Sequence, residues 1–231
     1  MRTTLVVPLL AALGVLAAPS LALGVTVAAQ QPVAGRLAGR VPGGVVAAVT
    51  ALADSAAARG LPVDPLVEKA IEGGAKGASP ERIVAAVQTV LARLGRAQIA
   101  LQAATPGVPA ADAVEAGAFA LSAGLQDANV QEVARACGPQ CSAAEALRVA
   151  GTLTALGVPP AEAVELVRQT LRSGGKERDV LALPGRVQAQ VAGGATPAQA
   201  AAGLARAAAA RAAVHGQSGA PPHGPPTSQH P

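Results

Sequence analysis

The same kind of helix start recurs along this chain, and this recurrence constrains the fold more than any other feature. The sequence SPERIVAAVQTVL occupies residues 79–91, and PPAEAVELVRQTL occupies residues 159–171. Ser79 can cap the orphan amides of a first helical turn. Pro80 suits the first helical position, where it costs no hydrogen bond, and Glu81 suits the positive end of the helix dipole. The pattern therefore predicts a helix that begins sharply at residue 80.

Apolar side chains follow this start at helical spacing and form one stripe. The apolar positions at spacings of four, three and four are Ile83, Val87, Val90 and Leu94. We expect the helix to run to Ala104, because the Pro-Gly pair at residues 106–107 would stop it. The stripe predicts a helix that buries one side against its neighbours.

Further segments share this entrance and predict an all-α fold. They occupy residues 61–77, 108–121, 141–157 and 195–207. Short turns join several of them in pairs, such as residues 64–77 with 79–94 and residues 142–157 with 159–173. Short turns force neighbouring helices to lie roughly antiparallel. The chain is thus predicted to be a tandem of short antiparallel helical hairpins. Gly157 ends one helix, Asp64 caps another, and breaks are expected near residues 124–127 and 184–185.

The arrangement of these hairpins remains open between a compact bundle and a short irregular solenoid. The starts at residues 61, 108 and 141 are unevenly spaced, whereas a regular solenoid would repeat at a constant period. The similarities between segments fit either true duplication or chance resemblance in an alanine-rich sequence.

Composition predicts a core without aromatic rings. The chain has one Phe, Phe119, and neither Trp nor Tyr, while Ala makes up about a quarter of it. Each buried Ala removes little area from water, and burial stabilises by roughly 25 cal/mol per Å². We therefore expect helices that approach closely through small side chains.

The first 29 residues read as a signal peptide. A positive start at Arg2 precedes an uncharged apolar run over residues 5–23, and the small residues Val27 and Ala29 suit cleavage before Gln30. Cleavage after Ala22 and retention as a membrane anchor are the alternatives. We expect a secreted or periplasmic protein whose mature chain has no transmembrane span.

The remaining chain divides by composition into three parts. Residues 30–44 are rich in Gly and Pro and predict a flexible lead-in. Residues 45–214 form the predicted helical domain, whose first helix ends at Gly60. Residues 215–231 have the Pro, Gly and His content of a disordered tail.

Catalytic constellations are missing from the predicted domain. The three histidines, His215, His223 and His230, lie in the predicted tail, which cannot hold a preorganised set of groups. The Gly pairs at residues 73–74 and 174–175 follow helices rather than strands and do not read as phosphate loops. We therefore predict a non-enzymatic protein with no catalytic, cofactor-binding or metal-binding residues.

Two carboxylate pairs share helix faces and could in principle serve acid–base chemistry or a divalent ion. They are Glu68 with Glu72 and Glu162 with Glu165. Lys69 and Lys76 lie within one turn of Glu72, and this favours an exposed face laced with salt bridges.

Cys137 and Cys141 are the sharpest local feature. In an exported protein, two cysteines so close in sequence predict a disulfide. Because the closed loop is short, chain entropy predicts about 2 kcal/mol of stabilisation. Redox or metal chemistry and free thiols are the alternatives, although a redox dithiol usually has Cys-x-x-Cys at a helix start with sheet support.

Three hypotheses of function follow. The first is a non-enzymatic helical protein that presents an interaction surface to a protein partner in the cell envelope. The second is binding of an anionic polymer or membrane surface, without specific nucleic-acid recognition, through arginines. Those arginines are Arg82, Arg93, Arg96, Arg168 and Arg172. The third is a thiol redox protein that uses Cys137 and Cys141. The sequence indicates neither the partner nor the oligomeric state.

Overall fold

The computed structural model describes residues 32–138 and 141–217, and the side chains of these residues as far as Val214. These residues form eleven α-helices and no strand. The helices are α1 Val33–Leu37, α2 Gly43–Ala58, α3 Asp64–Ala75, α4 Pro80–Ala104, α5 Ala111–Ser122, α6 Asp127–Ala136, α7 Ala143–Ala155, α8 Pro160–Arg172, α9 Glu177–Leu181, α10 Leu183–Ala192 and α11 Pro197–Gln217. The prediction of an all-α fold is confirmed.

The helix starts follow the local chemistry that predicted them. The Ser79 hydroxyl accepts a hydrogen bond from the backbone N–H of Arg82, and the Ser142 hydroxyl accepts one from the N–H of Glu145 at 3.3 Å. Helix α4 ends at Ala104 as expected, and Gly157 has the positive φ of +89° that suits a helix stop. Capping and stop signals thus determine these boundaries.

Asp64 does not cap α3, and this prediction is wrong. The N-cap is Val63, and Asp64 is the first residue of the helix. The Asp64 carboxylate instead accepts a hydrogen bond from the Arg36 guanidinium of α1. An ion pair with another helix has replaced the local cap.

The predicted flexible lead-in at residues 30–44 contains α1 and the first two residues of α2. Leu37 is fully buried, and α1 contacts both α2 and α3. The Arg40 carbonyl oxygen lies so near Gly74 of α3 that an added methyl group there would be only 2.1 Å from it. Composition alone misled here, because one buried leucine and one close backbone contact order a segment rich in Gly and Pro.

Parts of both predicted terminal segments lie outside the described residues. The predicted signal peptide at residues 1–29 lies outside the described residues. Helix α11 continues to Gln217, so residues 215–217 are helical and do not belong to a disordered tail. Residues 218–231 of the predicted tail also lie outside the described part.

The helices contact one another in a regular order. When α9 and α10 are counted as one broken helix, every substantial contact joins helices that are next to each other or next but one along the described chain. Thus α4, α6, α8 and α11 contact in succession, as do α5, α7 and the α9–α10 segment. This is nearest-neighbour packing, in which each helix of the stack contacts only helices close to it along the described chain. The helices form a compact arrangement, while the choice between bundle and irregular solenoid and the antiparallel course of each hairpin stay predictions.

One contact is missing from this order. In the described part of the chain, α3 and α5 make no contact comparable to those of the other next-but-one pairs. Both pack against α4, which also contacts α2 and α6. A gap therefore separates α3 from α5 above the long helix α4.

The core consists of aliphatic side chains and alanines, as composition predicted. Gly and Ala allow the helices to approach closely. A methyl group added at Gly117 would lie 3.0 Å from Cβ of Ala97, and one at Gly151 would lie 3.1 Å from Cα of Ala120. Phe119 is 43% exposed and so does not belong to the buried core.

Gly74→Ala tests the ordered lead-in. The new methyl group would meet the Arg40 carbonyl, so we expect a loss of about 1–3 kcal/mol in the free energy of unfolding, with faster amide exchange over residues 33–42. Gly35→Ala on α1 meets nothing within 4 Å and is the control, because Ala is the better helix former. Denaturant unfolding and hydrogen exchange measure both, and unchanged exchange in Gly74→Ala would contradict the docking of α1.

Candidate functional site

The gap between α3 and α5 is a cleft of ≈ 450 Å³. Helix α3 forms one wall, α5 forms the other, and α4 forms the floor. The residues that line it are Pro65, Glu68, Lys69, Glu72, Val90, Arg93, Leu94, Glu115, Ala118, Phe119 and Ser122. A volume of this size is within the usual range for ligand-binding clefts.

The apolar part of the cleft comes from α4 and α5. Val90 belongs to the predicted apolar stripe of α4, yet it is only partly buried, whereas Ile83, Val87 and Leu94 are fully or almost fully buried. The α3–α5 gap explains this difference, because none of the described helices covers Val90.

Phe119 lies at the edge of the cleft with its ring against α7. A methyl group added at Gly151 of α7 would lie 2.8 Å from Cε1 of the Phe119 ring. The glycine thus makes room for one edge of the ring, and the other edge remains exposed. The only aromatic side chain of the protein is therefore held at a surface, where aromatic rings often contribute most to binding.

The α3 wall carries the Glu68–Glu72 pair singled out in the sequence. Glu72 is bonded to Lys69 at 2.6 Å and also to Lys76. The hydrogen bonds from these two ammonium groups lower the pKa of Glu72 to about 2. The expected role of Glu72 in salt bridges on a charged helix face is thus confirmed. Glu68, by contrast, has no ion pair among the described residues.

The α5 wall carries Glu115, which the sequence analysis did not single out. Burial raises its pKa, and the negative charges of Asp64, Glu68 and Asp112 act in the same direction, while Arg148 partly opposes them. Glu115 precedes Phe119 by four residues and so shares its helix face. That spacing beside the single aromatic residue was the signal that could have revealed the site.

Cys137 and Cys141 lie together as predicted. Their Sγ atoms are 2.02 Å apart and their Cα atoms 5.1 Å apart, which is within the range for a disulfide. The pair connects the end of α6 to the residue before Ser142, the N-cap of α7. Among the described residues, no group of three or more His, Cys, Asp or Glu side chains is placed to hold a metal ion.

A second acidic pair lies beside Cys141. Glu145 of α7 and Glu177 of α9 line a small cavity together with Cys141 and Ser142. The Oε2 atom of Glu145 is buried and has no hydrogen-bond partner in the described structure. Burial raises the pKa of Glu145, and the neighbouring Glu177 carboxylate raises it further.

Two of the five arginines that the sequence suggested for binding an anionic surface are already paired with carboxylates of the protein itself. Arg96 is paired with Asp127 at 2.8 Å, and Arg168 with Glu165 at 3.0 Å. Within the described ranges, the other three have no ion pair, and they are Arg82, Arg93 and Arg172. The side chains of His215, His223 and His230 lie outside the described part.

No protein-family model, no curated protein and no solved structure matches this chain. In the described part of the chain, no helix is both long enough and apolar enough to cross a membrane. The candidate site therefore depends on its geometry alone.

Reduction of the Cys137–Cys141 pair tests its structural role. We expect a Cys137→Ser, Cys141→Ser double variant to lose about 2 kcal/mol in the free energy of unfolding, because the short closed loop restricts the unfolded chain only modestly. Urea unfolding of the oxidised, reduced and double-variant proteins measures this. A thiol titration that finds two free thiols in the protein as isolated under oxidising conditions would contradict the disulfide.

The buried Glu145 predicts a specific dependence of stability on pH. Since its pKa is raised in the folded state, its favourable contribution is complete below the ordinary value of 4.5 and is lost as the pH rises through the raised value. Glu145→Gln should therefore be more stable than the wild type near neutral pH, with little difference in acid. Urea unfolding at several pH values measures this, with Asp54→Asn on an exposed part of α2 as control. Equal stability of Glu145→Gln and wild type near neutrality would contradict the assignment.

Proposed function

We propose that this protein is an exported, non-enzymatic helical protein that presents the α3–α5 cleft as an interaction surface to a partner in the cell envelope. The observation that carries the proposal is the lack of a substantial contact between α3 and α5 in the described chain, because it leaves Val90 and Phe119 accessible. Binding sites in helical proteins often lie in clefts between helices. The signal-peptide pattern at residues 1–29 supports export.

The anionic-surface hypothesis has less support. Arg96 and Arg168 are already paired with carboxylates of the protein itself. Arg93 lies in a cleft with Glu68 and Glu115, whose negative charges would repel a polyanion. The arginines therefore do not form one uniform basic face.

The thiol redox hypothesis also has less support. Cys141 shares its small cavity with Glu145 and Glu177. Nearby negative charge disfavours a thiolate, and the thiolate is the reactive form of a redox cysteine. A structural role for the Cys137–Cys141 pair is the better proposal.

Site-specific photocrosslinking tests the interaction surface. A photoreactive phenylalanine analogue replaces Phe119 in the cleft, and the matched control carries it at Ile99 of α4, which is 67% exposed and does not line the cleft. We expect a discrete adduct in intact cell envelopes from position 119 that is absent from position 99. A Val90→Arg substitution, which fills the cleft, should abolish it.

Two results would contradict the proposal. One is no adduct from position 119 in envelopes that contain the folded protein, and the other is the same adduct from both positions. Fractionation of the cells that produce the protein tests export separately. Retention of the full chain in the cytoplasm would contradict export and leave the interaction surface untested by this experiment alone.

A further inference from the structure

We infer that the cleft binds an amphipathic helix of another protein, with an apolar ridge and basic side chains along its flanks. This inference depends on the proposed function and adds to it the shape and charge of the partner. It is carried by three features of the described residues: the place of the gap in the helix order, the apolar floor, and the unpaired carboxylates on both walls.

The gap occupies a position where the packing order would place a helix contact. The other next-but-one helix pairs in the described chain touch, whereas α3 and α5 are held apart while both pack on α4. Packed helices lie about 8–10 Å from each other, so a helix that enters between α3 and α5 would contact both walls and the floor. Binding of a helix in a groove is a common recognition mode.

The floor offers an apolar contact for such a helix. Val90 is partly exposed on α4 and Phe119 is 43% exposed at the edge, while the buried residues Leu94 and Ala118 support this surface from below. These side chains lie close enough together to receive the apolar ridge of an amphipathic helix, whose residues recur every three or four positions. Burial of this surface supplies affinity but does not select the charge of the partner.

The walls select for positive charge. Glu115 on α5 and Glu68 on α3 face the same cleft, and neither has an ion pair within the described structure. Asp64 and Asp112 add to the negative field at Glu115, and only Arg148 opposes it to a noticeable degree. A Lys or Arg side chain from the partner would compensate this field.

The two positive groups in the cleft do not reverse this selection. Lys69 is bonded to Glu72 at 2.6 Å and is therefore already neutralised. Arg93 on the floor has no ion pair in the part of the chain that the structure describes, so it can receive one carboxylate of the same partner. The complementary helix is thus predominantly basic, with an acidic side chain near its apolar ridge.

Designed peptides test this inference. A basic amphipathic peptide of Leu, Ala and Lys with about 18 residues is long enough to be helical. Its controls are a scrambled peptide of the same composition and a counterpart with Glu in place of Lys. We expect the basic peptide to bind the oxidised full mature chain at least about tenfold more tightly than either control in fluorescence polarisation.

Variants locate the binding. Val90→Arg should lower the affinity for the basic peptide by about tenfold or more. The double variant Glu68→Gln, Glu115→Gln should lower this affinity several-fold and make it depend less on salt concentration. Ile99→Arg is the matched control, because Ile99 is an exposed residue of α4 outside the cleft, and it should leave the affinity for the basic peptide unchanged. Circular dichroism confirms that each variant is folded, and the double Gln variant serves the test if Val90→Arg does not fold.

The outcomes separate this inference from the proposed function. The inference is overturned if the scrambled or acidic peptide binds as tightly as the basic peptide. It is also overturned if Ile99→Arg lowers the affinity for the basic peptide as much as Val90→Arg does. A cleft-specific photoadduct together with no preference for the basic helix overturns the chemistry of the partner and leaves the interaction surface standing. If there is neither a cleft-specific photoadduct nor a preference for the basic helix, the proposed interaction surface and the inferred partner are both overturned.

Discussion

Small side chains at the helix contacts are the constraint on which this structure depends. Gly117 lies against Ala97, and Gly151 lies against Ala120, so neighbouring backbones approach more closely than larger residues would permit. Burial of an alanine contributes little by itself, and stability therefore comes from many such contacts along the stack. The one phenylalanine fits this packing only in part: Gly151 makes room for one edge of the Phe119 ring, and the side chain stays 43% exposed.

Local chemistry explains which parts of the fold could be predicted from the sequence. Ser79 and Ser142 cap helices as expected because a cap depends only on residues within one turn. Asp64 and the segment around Leu37 were misread because their partners are distant in sequence. The cleft was missed for a similar reason. Periodicity places Val90 in an apolar stripe, but only the packing order shows that none of the described helices covers it.

The acidic groups of the protein have two different environments. Glu72 is compensated by two lysines and belongs to an ordinary charged helix face. Glu115 and Glu145 are partly buried and have no ion pair among the described residues, one in the cleft and the other beside Cys141. Sequence spacing identified the first kind and not the second, because the cost of burial depends on the fold. Uncompensated charge in a cleft is more informative about a partner than a satisfied salt bridge.

The missing α3–α5 contact also has a mechanical consequence. Among the described helices, α1–α3 make their substantial contacts with the rest of the stack only through α4. Helix α4 is thus the one described helix that joins α1–α3 to the later helices by substantial contacts. A small bend in α4 would widen or narrow the α3–α5 cleft without breaking any other of these interfaces. Relative motion of α1–α3 and the later helices would therefore change the width of the cleft first, and this cleft is the surface proposed for recognition.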